Sequence, residues 1–227
     1  MKHLITPLLI TIVGMTLTPL HSRAQYDGDV RIWQELMIRE YKGDRFQAYT
    51  WAELRYFDDA SRLGLWFVQQ KLYYKVNPHL SVGTGPAWIE VEGSNGIWNT
   101  MARWEFELNP TVKFEDGSSI QFRNRLETRW WESRDFDTEF VSRHRIRYSR
   151  PADWFPRMKR FEMSNEFFFD YRTGSYSENR LRLFDMHFDA FEKTTANTFF
   201  QIRSRRPGGR GDWQHAYIIG FGFRFLP

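Results

Sequence analysis

Cysteine is absent from the 227 residues, which excludes disulfides, thiolate nucleophiles, thiolate metal sites and a lipidated cysteine behind any leader. Long apolar runs are missing after the first two dozen residues, so no second segment is predicted to cross a membrane as a helix. An excess of one charge is missing as well. The formal balance is +4, and without Lys2 and Arg23 of the opening segment it falls to 30 basic against 28 acidic side chains. The arginines lie within alternating segments rather than in a basic tail, which argues against a nucleic-acid binder. Helical periodicity is nearly absent too.

What is present begins with a leader signature. Lys2 and His3 precede the uncharged run LITPLLITIVGMTLTPL, and HSRAQ follows, where Ser22 and Ala24 have the spacing that signal peptidase accepts. A membrane anchor is the alternative, but Pro7 and Pro19 interrupt the run. Residues 1–24 are therefore predicted to be a cleaved signal peptide and 25–227 a single exported domain.

From Asp29 onward the dominant signal has period two. Alternating segments are predicted over Val30 to Tyr41, Phe46 to Phe57, Leu63 to Val76, Leu80 to Val91, Met101 to Phe114, Ser119 to Trp131, Thr138 to Tyr148, Phe161 to Tyr171, Asn179 to Phe191, Thr195 to Arg205 and Trp213 to Phe225. Gly, Pro, Asn and Asp cluster between them, as in YKGD, NPH, EDGS and RTGSYSE, and supply the backbone angles that hairpins need. The expected sheet is an antiparallel meander without a domain boundary.

Each segment has one charged and one apolar face. Arg103, Glu105 and Glu107 oppose Trp104, Phe106 and Leu108; Gln121, Arg123, Arg125, Glu127 and Arg129 oppose Phe122, Leu126 and Trp130. Arg143, Arg145 and Arg147 alternate with Ile146 and Tyr148, and Asp185, His187 and Asp189 with Met186 and Phe188. A soluble barrel would turn the apolar face inward. Segment length, Trp and Tyr near segment ends, and the alternating aromatic finish favour the inverted arrangement, with charge inside and apolar side chains toward lipid. An open sheet in lipid leaves edge amides unpaired, so such a meander must close. The expected fold is all-β: a transmembrane antiparallel up-and-down β-barrel of 10 to 12 strands, even counts being usual and twelve preferred. These charged residues, together with Gln121, are its lumen-lining candidates.

The finish YIIGFGFRFLP places Tyr217, Ile219, Phe221, Phe223 and Phe225 on one face, resembling the C-terminal assembly signal of bacterial outer-membrane proteins. The partners expected are the outer-membrane bilayer and the barrel-assembly machinery, with no nucleic acid and a monomeric state. With the C-terminus periplasmic, EKTT, EDGS and NPH fall on the periplasmic side, RRPGGRGD, RTGSYSE, ESRDFD and GSNG outside; the long RPADWFPRMK on the periplasmic side fits poorly. The motifs DVRIWQEL, WAELR, FRNRLETR and ENRLRL resemble the domain-of-unknown-function family 2490 of bacterial outer-membrane barrels. That resemblance implies an outer-membrane barrel in a Gram-negative-type envelope and no assigned activity.

No catalytic, cofactor-binding or metal residue is predicted. His79 and Ser81 have the two-residue spacing of an outer-membrane phospholipase but lack a third member. Asp185, His187 and Asp189 could suit a metal or a protease rim, and more ordinarily are lining. His144 and His215 stand alone, and the RGD tripeptide at 210–212 sits in a Gly-rich turn. The expected role is porin-like, a narrow channel, or envelope-structural. The alternatives are a barrel hydrolase acting on lipid or peptide and a soluble periplasmic barrel holding an apolar ligand.

Overall fold

The computed structural model describes residues 27–93, 95–206 and 211–227. The leader expectation for residues 1–24 and Arg210 of the RGD tripeptide lie outside them. Eleven strands follow one another: β1 (Asp29–Lys42), β2 (Phe46–Phe57), β3 (Arg62–Asn77), β4 (Leu80–Glu92), β5 (Trp98–Lys113), β6 (Ser119–Trp131), β7 (Thr138–Pro151), β8 (Met158–Asp170), β9 (Ser175–Phe191), β10 (Thr194–Arg205) and β11 (Gln214–Phe225). A 3-10 turn at Glu132–Arg134 is the one helical element among the described residues. The strands form a closed barrel in which each pairs with its sequence neighbour.

The count of eleven lies within the expected range, but the even parity does not hold. Closure is made by β1 and β11 running parallel, in unbroken register from Asp29 opposite Ala216 to Ile38 opposite Phe225. All other neighbours are antiparallel. A parallel seam satisfies the edge amides as completely as an antiparallel one, so closure does not require an even number.

Strand lengths run from 12 to 17 residues. At one end of the barrel the turns include the two-residue connections Pro78–His79 and Glu192–Lys193; at the other every connection has at least four residues. The β5–β6 turn shows the local chemistry. Gly117 takes φ 79°, and the Ser118 hydroxyl and amide donate to Asp116 at 2.6 and 2.9 Å, holding that carboxyl below its usual range.

Alternation places the side chains inside out. Phe106, Leu108, Phe122, Leu126 and Ile146 are exposed on the outer wall, while Glu105 and Glu127, one residue away from Phe106 and Leu126, have no solvent exposure at all. Polar and charged groups make up most of the buried set. Two interior apolar clusters break the rule: Phe67, Ala87, Ile89 and Met101 on β3 to β5, and Trp33, Phe199 and Ile218 on β1, β10 and β11.

The second cluster explains the small inward face of the last strand. A Cβ on Gly220 would sit 1.9 Å from the Phe199 ring, and one on Gly222 would sit 2.3 Å from the Asn197 amide oxygen. Only glycine lets those neighbours fold over β11. The outward face of the same strand carries Tyr217, Ile219, Phe221 and Phe225, all exposed, with Phe223 half-buried near its end.

One irregularity changes which residues face inward. Opposite β9 the register slips between Thr198 and Phe200 of β10 and between Glu162 and Ser164 of β8. Phe184 sits in that bulge at φ 52°, a conformation rare for a bulky side chain. The extra residue flips the phase of the strand. Glu178, Arg180 and Arg182 face inward before it, Asp185 and His187 after it.

Candidate functional site

The lumen is the site, and its chemistry comes from alternate residues of neighbouring strands. Register pairs Glu105 with Glu127, Glu107 with Arg125 and Arg103 with Arg129. Two carboxylates directly opposite repel unless cations sit between them. Arg125 does so: its guanidinium lies 2.9 Å from Glu105, 2.5 Å from Glu107 and 3.3 Å from Glu127. Lys71, on β3, donates to Glu105 and to Glu107, the latter at 2.7 Å. Between them on β4 lies Gly85, where a Cβ would sit 1.9 Å from the Gln70 carbonyl oxygen of the β3 backbone.

Glu127 is the hub. Arg129 approaches it at 2.5 Å, Arg143 at 2.7 Å, Arg125 at 3.3 Å and Arg103 at 3.8 Å. Arg143 also bonds Glu166 at 2.9 Å, Arg123 meets the same carboxylate at 2.5 Å, and Arg103 meets Glu105 at 2.8 Å. The result is one continuous lattice from β3 to β8, with every carboxylate shared between at least two cations. Charge-assisted bonds of this kind offset the cost of burying carboxylates and cations together.

A second lattice lies across the barrel. Arg182 reaches from β9 past β10 and β11 to Glu35 on β1 at 2.9 Å, and also touches Asp185 at 3.2 Å. Glu178 holds Arg180 at 2.5 Å and Arg203 at 2.7 Å. The guanidiniums also stack on the interior rings: Arg55 over Trp33 at 3.9 Å, Arg180 over Phe168 at 4.5 Å and Arg182 over Phe199 at 3.5 Å. The interior aromatics are therefore platforms for cations.

Two cavities lie in the lumen among the described residues. One of about 450 Å³ opens at the end that carries Arg45, His79 and Lys113. The other, about 390 Å³, opens at the end that carries Arg134, Arg172 and Arg206. Glu35, Trp51, Arg123, Arg145, Ser164 and Arg182 line both, so these six form the waist between them. Among the described residues the first is lined by nine Lys or Arg against four carboxylates, the second by fourteen Arg against six. Both chambers carry a positive field.

The lumen-lining candidates fall as follows. Arg103, Glu105, Glu107, Arg123, Arg125, Glu127 and Arg143 are buried in the first lattice, with Arg129 half-buried at its edge. Gln121, Arg145 and Arg147 are half-buried, and Arg147 donates to Gln121 at 2.9 Å. Asp185 and His187 are buried. Asp189 stands apart from them: its side chain is 48% exposed and pairs with Lys159 at 2.9 Å.

The His187 ring lies 3.2 Å from Asp185 and 3.5 Å from Glu162, a grouping compact enough for a metal ion. Arg182 already holds Asp185, and Arg147 and Arg160 hold Glu162. Three cations around two carboxylates oppose a dication there, so the cluster belongs with the salt-bridge lattice.

His79 is exposed and bonds the Thr111 carbonyl at 3.3 Å. With Ser81 it lines the mouth of the first cavity. His144 bonds Asn124 at 2.9 Å on the outer wall, and His215 bonds Ser204 at 2.9 Å.

Sequence reasoning did not name Glu35, Glu53, Lys71, Glu162, Glu166, Glu178, Arg180, Arg182 or Arg203 as lumen candidates, although Glu35, Glu53, Glu178, Arg180 and Arg182 lie in the motifs that carry the family resemblance. Most carried a signal, since Glu162, Ser164, Glu166 and Asp170 alternate within β8, but Phe168 interrupts the polar series. The β9 bulge hid Arg180 and Arg182, which lie out of phase with Asp185.

Comparison of the sequence with curated proteins gives no match. Among solved structures, a bacterial polysaccharide outer membrane secretin is similar at 10% identity, with a TM-score of 0.42 over 80% of this chain and 75% of that one. The family described as Protein of unknown function (DUF2490) matches residues 30–185. The chain belongs to that family, as a closed eleven-stranded member with a salt-bridged lumen.

Proposed function

We propose that this protein is an outer-membrane β-barrel that acts as a narrow, anion-preferring channel: two basic vestibules meet at a waist that bulky solutes do not pass. The observation that carries the reading is the inside-out wall, on which uncharged Phe106 and Leu126 face outward while Glu105 and Glu127 are sealed within. In water that arrangement wastes the apolar surface; in a bilayer it is the low-energy one. The strands also exceed the nine to eleven residues that a tilted span needs.

Polar groups on the outer wall support the same environment because they bond one another. Asn124 meets His144 at 2.9 Å and Asn165 meets Asn179 at 2.5 Å. The aromatic outer face of β11 would serve as the assembly signal, and the end bearing Pro78–His79 would be periplasmic.

The test is reconstitution of the full chain in planar bilayers. A small conductance with an anion-weighted reversal potential in a salt gradient is expected. A large, unselective current would refute the narrow waist, and recovery of the protein in the detergent-free aqueous fraction would refute the membrane placement.

A further inference from the structure

Among the charged residues of the waist, Arg145 is the one without an ion pair among the described residues, since Arg123 pairs with Glu166 and Arg182 with Glu35. Its direct register partners are Arg123 on β6 and Glu166 on β8. Glu166 is the carboxylate that should neutralise it, yet both oxygens are taken: Arg123 holds Oε1 at 2.5 Å, and Arg143 holds Oε1 at 3.2 Å and Oε2 at 2.9 Å. No ion pair with Arg145 is found among the described residues.

Two residues along the same face lies Arg147, whose guanidinium turns to Gln121 and Glu162. The Nε atoms of Arg123, Arg145 and Arg147 are all buried without a hydrogen-bond partner. Three neighbouring guanidiniums thus each keep one unused donor, and all three side chains line the first cavity. Arg145 lines both cavities, so that space is reachable from either end.

A half-buried cation whose Nε is sealed without a partner and which has no counter-charge is costly, and a like-charged neighbour opposite it raises the cost. The remaining carboxylates cannot relieve it, since Glu107 is bound by Arg125 and Lys71 and Glu162 by Arg147 and Arg160. The geometry points to a bound oxyanion: we infer that Arg145, with Arg123 and Arg147 beside it, forms a binding site for a small multiply charged oxyanion of the phosphate class at the waist of the barrel. A guanidinium fork suits two oxygens of such a group, whereas chloride would use one contact. The inference deepens the channel reading by naming what the waist selects, but it rests only on the polar lumen and holds whether or not current flows.

The experiment is calorimetric titration of the detergent-solubilised full chain with inorganic phosphate, at low ionic strength, with chloride as the competing probe. Saturable phosphate binding is expected, with Arg145→Met weakening it roughly tenfold or more. Arg145→Lys, which keeps the charge but not the fork, should fall between. Phosphate should also raise the melting temperature of the natural protein and not that of Arg145→Met, which reports the site even if the variant is altered in stability. Arg150→Gln on the exposed end of β7 serves as the control and should bind as the natural protein does.

Absence of saturable binding at millimolar phosphate overturns the inference. So does equal affinity in Arg145→Met, which would assign the anion to the vestibule mouths. Binding without conductance would leave the site intact and remove only the channel.

Discussion

Neutralising Glu127 by Glu127→Gln tests whether the interior lattice holds the barrel wall together. The side chain has no solvent exposure and is approached by Arg103, Arg125, Arg129 and Arg143. Breaking a buried pair from one side costs about 3–5 kcal/mol, because the orphaned charge stays desolvated. Three of the four guanidiniums keep other carboxylates: Arg103 has Glu105, Arg125 has Glu107, and Arg143 has Glu166. Arg129 is 18% exposed and can swing toward the adjoining cavity.

The expected loss is therefore at the lower end, about 3 kcal/mol, which for a chain of this size corresponds to roughly 6–12 °C in melting temperature. The assay is a thermal series read as the loss of heat-modifiable gel mobility, with circular dichroism at the strand band beside it. Asp189→Asn is the internal reference. Its pair with Lys159 is exposed on both sides, and such pairs contribute about 0–1 kcal/mol. Equal, small shifts for the two variants would refute the claim that the buried lattice is stabilising; a higher melting temperature for Glu127→Gln would show that the hub is strained.

Three further outcomes are expected. Leu126→Arg puts a charge on the outer wall and should cost about 2–4 kcal/mol if that wall meets the middle of a bilayer; folding unaffected by it, measured by urea titration in lipid vesicles, would place the wall in water. Gly220→Val should prevent closure or lower stability by about 1–3 kcal/mol through overpacking against Phe199, and wild-type melting of that variant would show that the Phe199 ring moves freely. Spin labels at Phe221 and Arg125 should report lipid and a restricted polar lumen respectively; a label at Phe221 quenched by aqueous reagents would contradict the orientation of β11.

Much of the fold is legible because strand alternation is a local property. The sequence segments Phe46 to Phe57 and Ser119 to Trp131 coincide with β2 and β6, because turn residues mark their starts, YKGD before the first and EDGS before the second. Boundaries drift where the alternation fades, as at Trp98, Asn99 and Thr100 before the predicted start at Met101. The parity of the barrel is not local. It depends on whether the first and last strands meet head to head or head to tail, and no residue in Val30 to Tyr41 states that.

The site is legible by face and illegible by partner. Arg123, Arg125 and Glu127 can be assigned to one side of β6 from spacing alone, whereas the bonds of Arg123 to Glu166, of Arg125 to Glu105 and Glu107, and of Glu127 to Arg143 depend on cross-strand register, which spacing does not give. Arg182 shows the harder case. A single bulged residue at Phe184 reverses the phase, so the same alternation that places Asp185 inside would place Arg182 outside.

The head-to-head seam between β1 and β11 also fixes the polarity of the chain's two extremities. Asp29 and Gln214 begin their strands at one rim, and Ile38 and Phe225 lie together toward the other. If the barrel spans a bilayer as proposed, tags fused ahead of Asp29 and behind Phe225 are presented to different compartments, and a protease supplied on one side of a sealed vesicle removes only one of them.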